Sequence, residues 1–116
     1  MTGRDAEARA GAVFEALADA TRRAVLRDVA THGPRTATEL AAELPVSRQA
    51  VAKHLAVLRD AGLVVHERAG REARFTATLA PLAEAESWLR AAGTAWDDRL
   101  ARLHAQASRA PRDATS

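Results

Sequence analysis

The run Ser47-Arg48-Gln49-Ala50-Val51-Ala52-Lys53-His54-Leu55-Ala56-Val57-Leu58 gathers side chains suited to reading a nucleic acid. A glutamine amide donates and accepts together, so it can pair bidentately with adenine N6 and N7. An ammonium or guanidinium group donates to guanine O6 and N7 or to a phosphate. On a helix, Val51, Leu55 and Leu58 fall on one side, while Gln49 and Lys53 fall opposite, flanked by Ala52 and Ala56. The small alanines let the backbone come close to a groove. Arg48, in the first turn, reaches backbone or base, and Ser47 as N-cap meets a phosphate together with the helix N-terminus. His54 borders the apolar side, where it packs or holds a backbone group, and it is grouped with the DNA-facing set by its place on this helix. Lys53 is the only lysine among 17 basic side chains.

A second basic group follows in Arg68, Arg71 and Arg74, with Glu67 and Glu72 interleaved. Strand alternation puts Ala73 and Phe75 on one face and Arg74 and Thr76 on the other, so Phe75 anchors the ribbon. Arg68 and Arg71 sit near the tip, where they reach a minor groove or phosphates, or pair across the strands with the glutamates. No Ser/His/Asp spacing, cysteine nucleophile, glycine-rich phosphate loop or paired-carboxylate cleft occurs, so no catalytic residues are expected. No cofactor is expected either.

These side chains need a scaffold. The first helix is expected from about Asp5 to Leu17, with Val13, Phe14 and Leu17 on one side. Asp19 is a natural N-cap for a second helix over Thr21 to Thr31, stopped by Gly33-Pro34. Thr36 and Glu39 have capping-box spacing before Leu40, Ala41 and Leu44, which opens a short third helix. Leu44-Pro45-Val46 makes a tight turn. Ser47 then caps the fourth helix, which ends at Ala61-Gly62. Strands are expected over Leu63 to Arg68 and Arg71 to Thr78 around a turn at Ala69-Gly70. The last helix has Pro81 in its first turn and runs to about Ala107. This order is a helix-turn-helix followed by a hairpin wing: an α+β, mostly helical fold of about five helices and a two-stranded β-hairpin. Residues 1–108 are expected to form one domain and 109–116 a flexible tail.

The whole-chain charge of +2 is unevenly placed. Residues 47–74 hold six Lys/Arg against three acids, while residues 1–46 hold six against seven and residues 75–116 five against five. The excess therefore lies on the fourth helix and hairpin, the footprint expected for duplex DNA. Cysteine is absent, which rules out disulfides, thiolate metal sites and thiol chemistry. The N-terminus interleaves Arg4, Asp5, Glu7 and Arg9 without an apolar run, and no stretch approaches a membrane span. A soluble cytoplasmic location is expected, with no membrane partner.

The last helix carries Leu82, Ala85, Leu89, Ala92, Trp96, Leu100 and Leu103 at steps of three and four, with Trp88 beside them. With Phe14 from the first helix, the residues Leu82, Trp88, Leu89, Trp96 and Leu103 form an expected homodimer seam. Two copies would offer their Lys53-bearing helices to half-sites about 34 Å apart.

The stretches Phe14-Glu15-Ala16-Leu17-Ala18-Asp19-Ala20-Thr21-Arg22-Arg23-Ala24-Val25-Leu26, Ser47 to Val64, and Arg68-Ala69-Gly70-Arg71-Glu72-Ala73-Arg74-Phe75 resemble the opening, recognition helix and wing of the arsenic-repressor (ArsR/SmtB) winged-helix regulators. Ala20 stands where proline is common in that family. The resemblance, over roughly Ala12 to Leu103, implies a homodimeric repressor that binds a pseudo-palindromic operator and is released by an inducer, here an unidentified small molecule. It also implies metal sensing in many members, and here the chain departs. The third helix, Thr38-Glu39-Leu40-Ala41-Ala42-Glu43-Leu44, has no Cys or His. Asp97, Asp98 and His104 on the last helix lack the second His of a tetrahedral set. The non-metal-sensing type is the expected comparison, with no metal ligands assigned. The alternative to a repressor is a winged-helix interaction adaptor without specific DNA binding, in which the Lys53 face would tolerate charge reversal.

Overall fold

In the computed structural model, which describes residues 3–109, five helices and three short strands follow one another. They are α1 (Gly3–Ala16), α2 (Ala20–His32), β1 (Arg35–Thr36), α3 (Ala37–Glu43), α4 (Arg48–Asp60), β2 (Val64–Ala69), β3 (Glu72–Ala77) and α5 (Ala80–Arg109). The expected flexible tail over 109–116 lies, beyond Arg109, outside the described residues. No helix among them is long and apolar enough to cross a membrane.

Local chemistry sets the helix ends. Asp19 accepts from Arg22 N at 2.8 Å and caps α2, whose far end is closed by Gly33 N donating to Val29 O at 2.8 Å. Thr36 and Glu39 form the reciprocal capping box, with Glu39 N donating to Thr36 Oγ1 at 3.1 Å and Thr36 N donating to Glu39 Oε1 at 2.9 Å. Ser47 Oγ accepts from Ala50 N at 3.1 Å and opens α4. At the other end of α4, Leu63 N donates to Leu58 O and Gly62 N to Arg59 O, both at 2.9 Å. That is the Schellman pattern, and it needs the left-handed φ of +78° that Gly62 supplies.

The core is aliphatic. Val13 and Ala16 from α1, Val25, Leu26 and Val29 from α2, Leu40 from α3, and Val51, Leu55 and Leu58 from α4 are buried together with Leu63, Val64 and Ala85. Each large aliphatic side chain removed from water here contributes about 1.5–3 kcal/mol. The stripe Val51, Leu55, Leu58 therefore fixes how α4 is rotated, and so which of its residues face out.

The strands form an antiparallel sheet in the order β1-β3-β2. The expected hairpin is β2–β3, and β1 adds a third strand to it, with Arg35 opposite Phe75 and Thr36 opposite Arg74. The turn is corrected by one residue. Ala69 pairs with Glu72, leaving Gly70 and Arg71 as the two-residue loop. Gly70 has φ +66°, and among the described residues no non-glycine residue has positive φ. A two-residue hairpin with its left-handed residue first is of type II′, and glycine takes that position.

Candidate nucleic-acid interface

Rotation of α4 by its buried stripe leaves Gln49, Ala52 and Lys53 exposed on the outward side, with Ser47 and Arg48 exposed at the start of the helix. Arg48, Gln49 and Lys53 stand on the first two turns of the helix, the part that enters a groove in helix-turn-helix docking. Among the described residues none of them is ion-paired within the chain, so their donors are open to a partner. α3 precedes α4 across the Leu44-Pro45-Val46 turn, where Val46 N donates to Leu44 O at 2.8 Å. Leu40 of α3 is buried in the same core as the α4 stripe.

His54 stands apart from this face. It is half-buried, and its Nδ1 lies 4.0 Å from Asp19 Oδ2 at the N-terminus of α2. Asp19 thus has two duties: it caps α2 and it faces α4. The backbone N–H of Arg22 holds the Asp19 carboxyl below its ordinary 3.8, and the nearby His54 and Arg22 side chains add to that, against some opposing desolvation. The geometry joins His54 to the scaffold that aims α4 rather than to the exposed row.

The hairpin presents Arg68, Arg71 and Arg74, all exposed. Alternation along β3 is as expected, with Ala73 and Phe75 turned inward and Arg74 and Thr76 outward. Phe75 packs against the core and its ring centroid lies 5.6 Å from that of His66 on the neighbouring strand. Arg68 NH1 donates to Arg71 O at 3.2 Å, which braces the tip backbone. Glu67 lies opposite Arg74 in register. Even so, among the described residues no wing arginine is in a salt bridge, so the cross-strand pairing alternative does not consume them.

Sequence reading missed the joint between helices and wing. Arg35, only 16% exposed, places Nε 3.0 Å from Asp28 Oδ1 of α2, NH1 3.9 Å from Glu39 Oε2, and NH2 3.5 Å from Glu43 Oε1 of α3. Through β1 the same residue is paired with β3. Arg35 thus ties α2 to α3 through its guanidinium and both to the wing strand through its backbone. Glu39 is held below its ordinary 4.5, chiefly by the N–H of Thr36, with its hydroxyl, Arg35 and Arg74 contributing and desolvation opposing. The only sequence sign of this joint is the capping-box pair Thr36 and Glu39.

The expected seam residues divide. Phe14 and Trp88 meet within the chain, ring centroids 5.9 Å apart and edge to face, and Leu82 packs against the core. Leu89, Trp96 and Leu103 are more than half exposed, as every described side chain from Gly93 to Gln106 is exposed. Among the described residues no group of three or more His, Cys, Asp or Glu is arranged to hold a metal.

A helix-turn-helix with a basic outward helix and a basic three-stranded wing defines a winged helix-turn-helix protein. Residues 17–67 match the Helix-turn-helix domain family. The chain is 54% identical over 57 residues to the HTH-type transcriptional regulator Rv2034 of Mycobacterium tuberculosis, covering 49% of this chain and 52% of that protein. It therefore spans about half the length of that relative. It is 29% identical over 77 residues to the transcriptional repressor SdpR of Bacillus subtilis, covering 66% of this chain and 84% of the other. Its fold superposes on an ArsR-like transcriptional regulator from Rhodococcus sp. RHA1 with a TM-score of 0.76 and 42% identity, covering 84% of this chain and 91% of that one. The chain belongs to the ArsR family of winged helix-turn-helix transcriptional regulators.

Proposed function

We propose that this regulator is a homodimeric repressor of its own or a neighbouring operon, acting in the cytoplasm on a pseudo-palindromic operator. The observation that carries the reading is the division of α4: Val51, Leu55 and Leu58 buried, and Arg48, Gln49, Ala52 and Lys53 exposed and unpaired. Arg48, Gln49 and Lys53 read or grip the major groove, with Ser47 on an adjoining phosphate. Arg68, Arg71 and Arg74 hold flanking phosphates or minor groove. His54 supports α4 from behind through Asp19. Symmetry supplies the second half-site. The uncovered apolar side of α5 supports self-association, since an exposed row of Leu89, Trp96, Leu100 and Leu103 is costly for a lone chain in water. A repressor of this design blocks polymerase by occupying the promoter, and an unidentified small molecule is the natural release signal.

Fluorescence anisotropy against the chain's own upstream DNA and a scrambled duplex, over a salt series, tests this. The expected result is tight binding to the native duplex alone, falling steeply with salt. Equal, weak binding to both duplexes overturns self-regulation, and no binding at low salt favours the interaction-adaptor alternative.

A further inference from the structure

Beside the start of α5 lies a groove of about 320 Å³. Its floor is apolar, from Leu17, Leu26, Leu79 and Leu82, and its rim carries Arg23 and Arg27 of α2. Leu79 is 50% exposed there. The two guanidinium groups are one helical turn apart on α2, an arrangement of like charges that disfavours the helix unless something offsets it. Arg23 NH1 donates to Leu17 O, but among the described residues neither arginine has a carboxylate partner.

The complement to this groove is on the same chain but out of its own reach. The half of α5 beyond Ala92 leaves the folded body with Trp96, Leu100 and Leu103 about half exposed or more and Asp97 beside them, Trp96 covered in part only by the Arg99 guanidinium of its own helix, 5.1 Å from the ring centroid. Leu82, Leu89, Trp96 and Leu103 recur every seven residues, which keeps them on one side of the helix. Two such helices crossing antiparallel at Leu89 bring Trp96 of one copy opposite Leu82 of the other, because both are equally far from the crossing. Around the helix, Ala85 and Trp88 turn toward α1, whereas Leu100 and Asp97 lie on the other side of Trp96, about 40° and about 100° round from it. Leu82 shares that side and lines the groove. A two-fold axis keeps equivalent sides of the two helices together, so Asp97 of the second copy arrives at the arginine rim. A parallel pairing would leave the groove open.

We infer that the groove between α2 and the start of α5 is the dock for the free half of α5 from a second copy, with Asp97 of that copy meeting Arg27 and Arg23. This rests on the dimer reading above and goes further by naming the register and the charge contact. It also ties self-association to α2, the helix whose cap, Asp19, faces His54 on α4.

Sedimentation equilibrium of the full chain tests it with Arg27→Glu, Asp97→Arg, both together, and Asp98→Arg as control, since Asp98 lies on the far side of α5 from Trp96. Circular dichroism accompanies each variant. Either single reversal at Arg27 or Asp97 should weaken the dimer about tenfold, about 1.4 kcal/mol shared by two symmetry-related contacts. The combined variant should regain wild-type affinity, and Asp98→Arg should stay near it. If the wild type is dimeric and Asp97→Arg behaves like Asp98→Arg, or the combined variant stays weak, the docking is overturned and the dimer stands. A monomeric wild type overturns both.

Discussion

Lys53 is the one ammonium group in a chain that otherwise uses arginine, and it stands exposed in the middle of the outward face of α4. Replacing it with alanine should weaken operator binding while leaving the fold and self-association unchanged. Where its partner is a phosphate, each lost contact should lower the slope of log affinity against log salt by about 0.9. Normal operator affinity in Lys53→Ala would remove this residue from the interface. Gln49→Ala should behave differently, losing about 1–3 kcal/mol at a single base position and little elsewhere, as binding to an operator substitution series would show. The acidic side chains at the helix starts make a third prediction. Asp19 and Glu39 are both held below their ordinary values in the fold, so the folded state favours their charged forms. Their contribution is complete above the ordinary carboxylate range and is lost as pH falls through the lowered values. Urea unfolding followed from neutral pH into that acid range should show stability falling. The fall should be shallower in Asp19→Asn and Glu39→Gln, and an unchanged pH dependence in both variants would refute the assignment.

Helices were legible in the chain because their ends are written locally. Asp19, Thr36 and Ser47 each cap the helix that sequence patterning assigned to them, within a residue or so. Gly62 closes α4 with a left-handed φ. An alanine there should cost about 1–2 kcal/mol, measurable as a lower urea midpoint with an unchanged m-value. The wing tip was displaced by one residue in the sequence reading because Ala69-Gly70 and Gly70-Arg71 look equally turn-like until the cross-strand pairing is known. β1 was not legible at all. Arg35 and Thr36 count as a strand only through Phe75 and Arg74, some forty residues away. The Arg35 cluster was hidden for the same reason: Asp28, Glu39 and Glu43 converge on it only once α2 and α3 are packed. The outward face of α4 was readable because helical periodicity alone separates it from the core stripe.

At the scale of the whole molecule, α5 is half inside the fold and half outside. Its first part is packed on α1 through Phe14 and Trp88 and pinned by Arg9 Nε, 2.9 Å from Glu84 Oε2. Its second part, from Gly93 to Gln106, is exposed to solvent at every described side chain. Placing glutamate at both Leu89 and Trp96 should give a folded monomer by light scattering, with operator affinity lost and the helical spectrum largely kept. A variant that still dimerises would place the seam elsewhere. On the dimer reading, this division has a consequence for timing in the cell. Newly made chains are complete as folds but not as switches. At low abundance the paired form grows with the square of the chain concentration, so a promoter under such control stays open during early synthesis and then shuts over a narrow range of protein level. A self-silencing gene built this way sets its own ceiling, and the uncovered half of one helix determines where that ceiling lies.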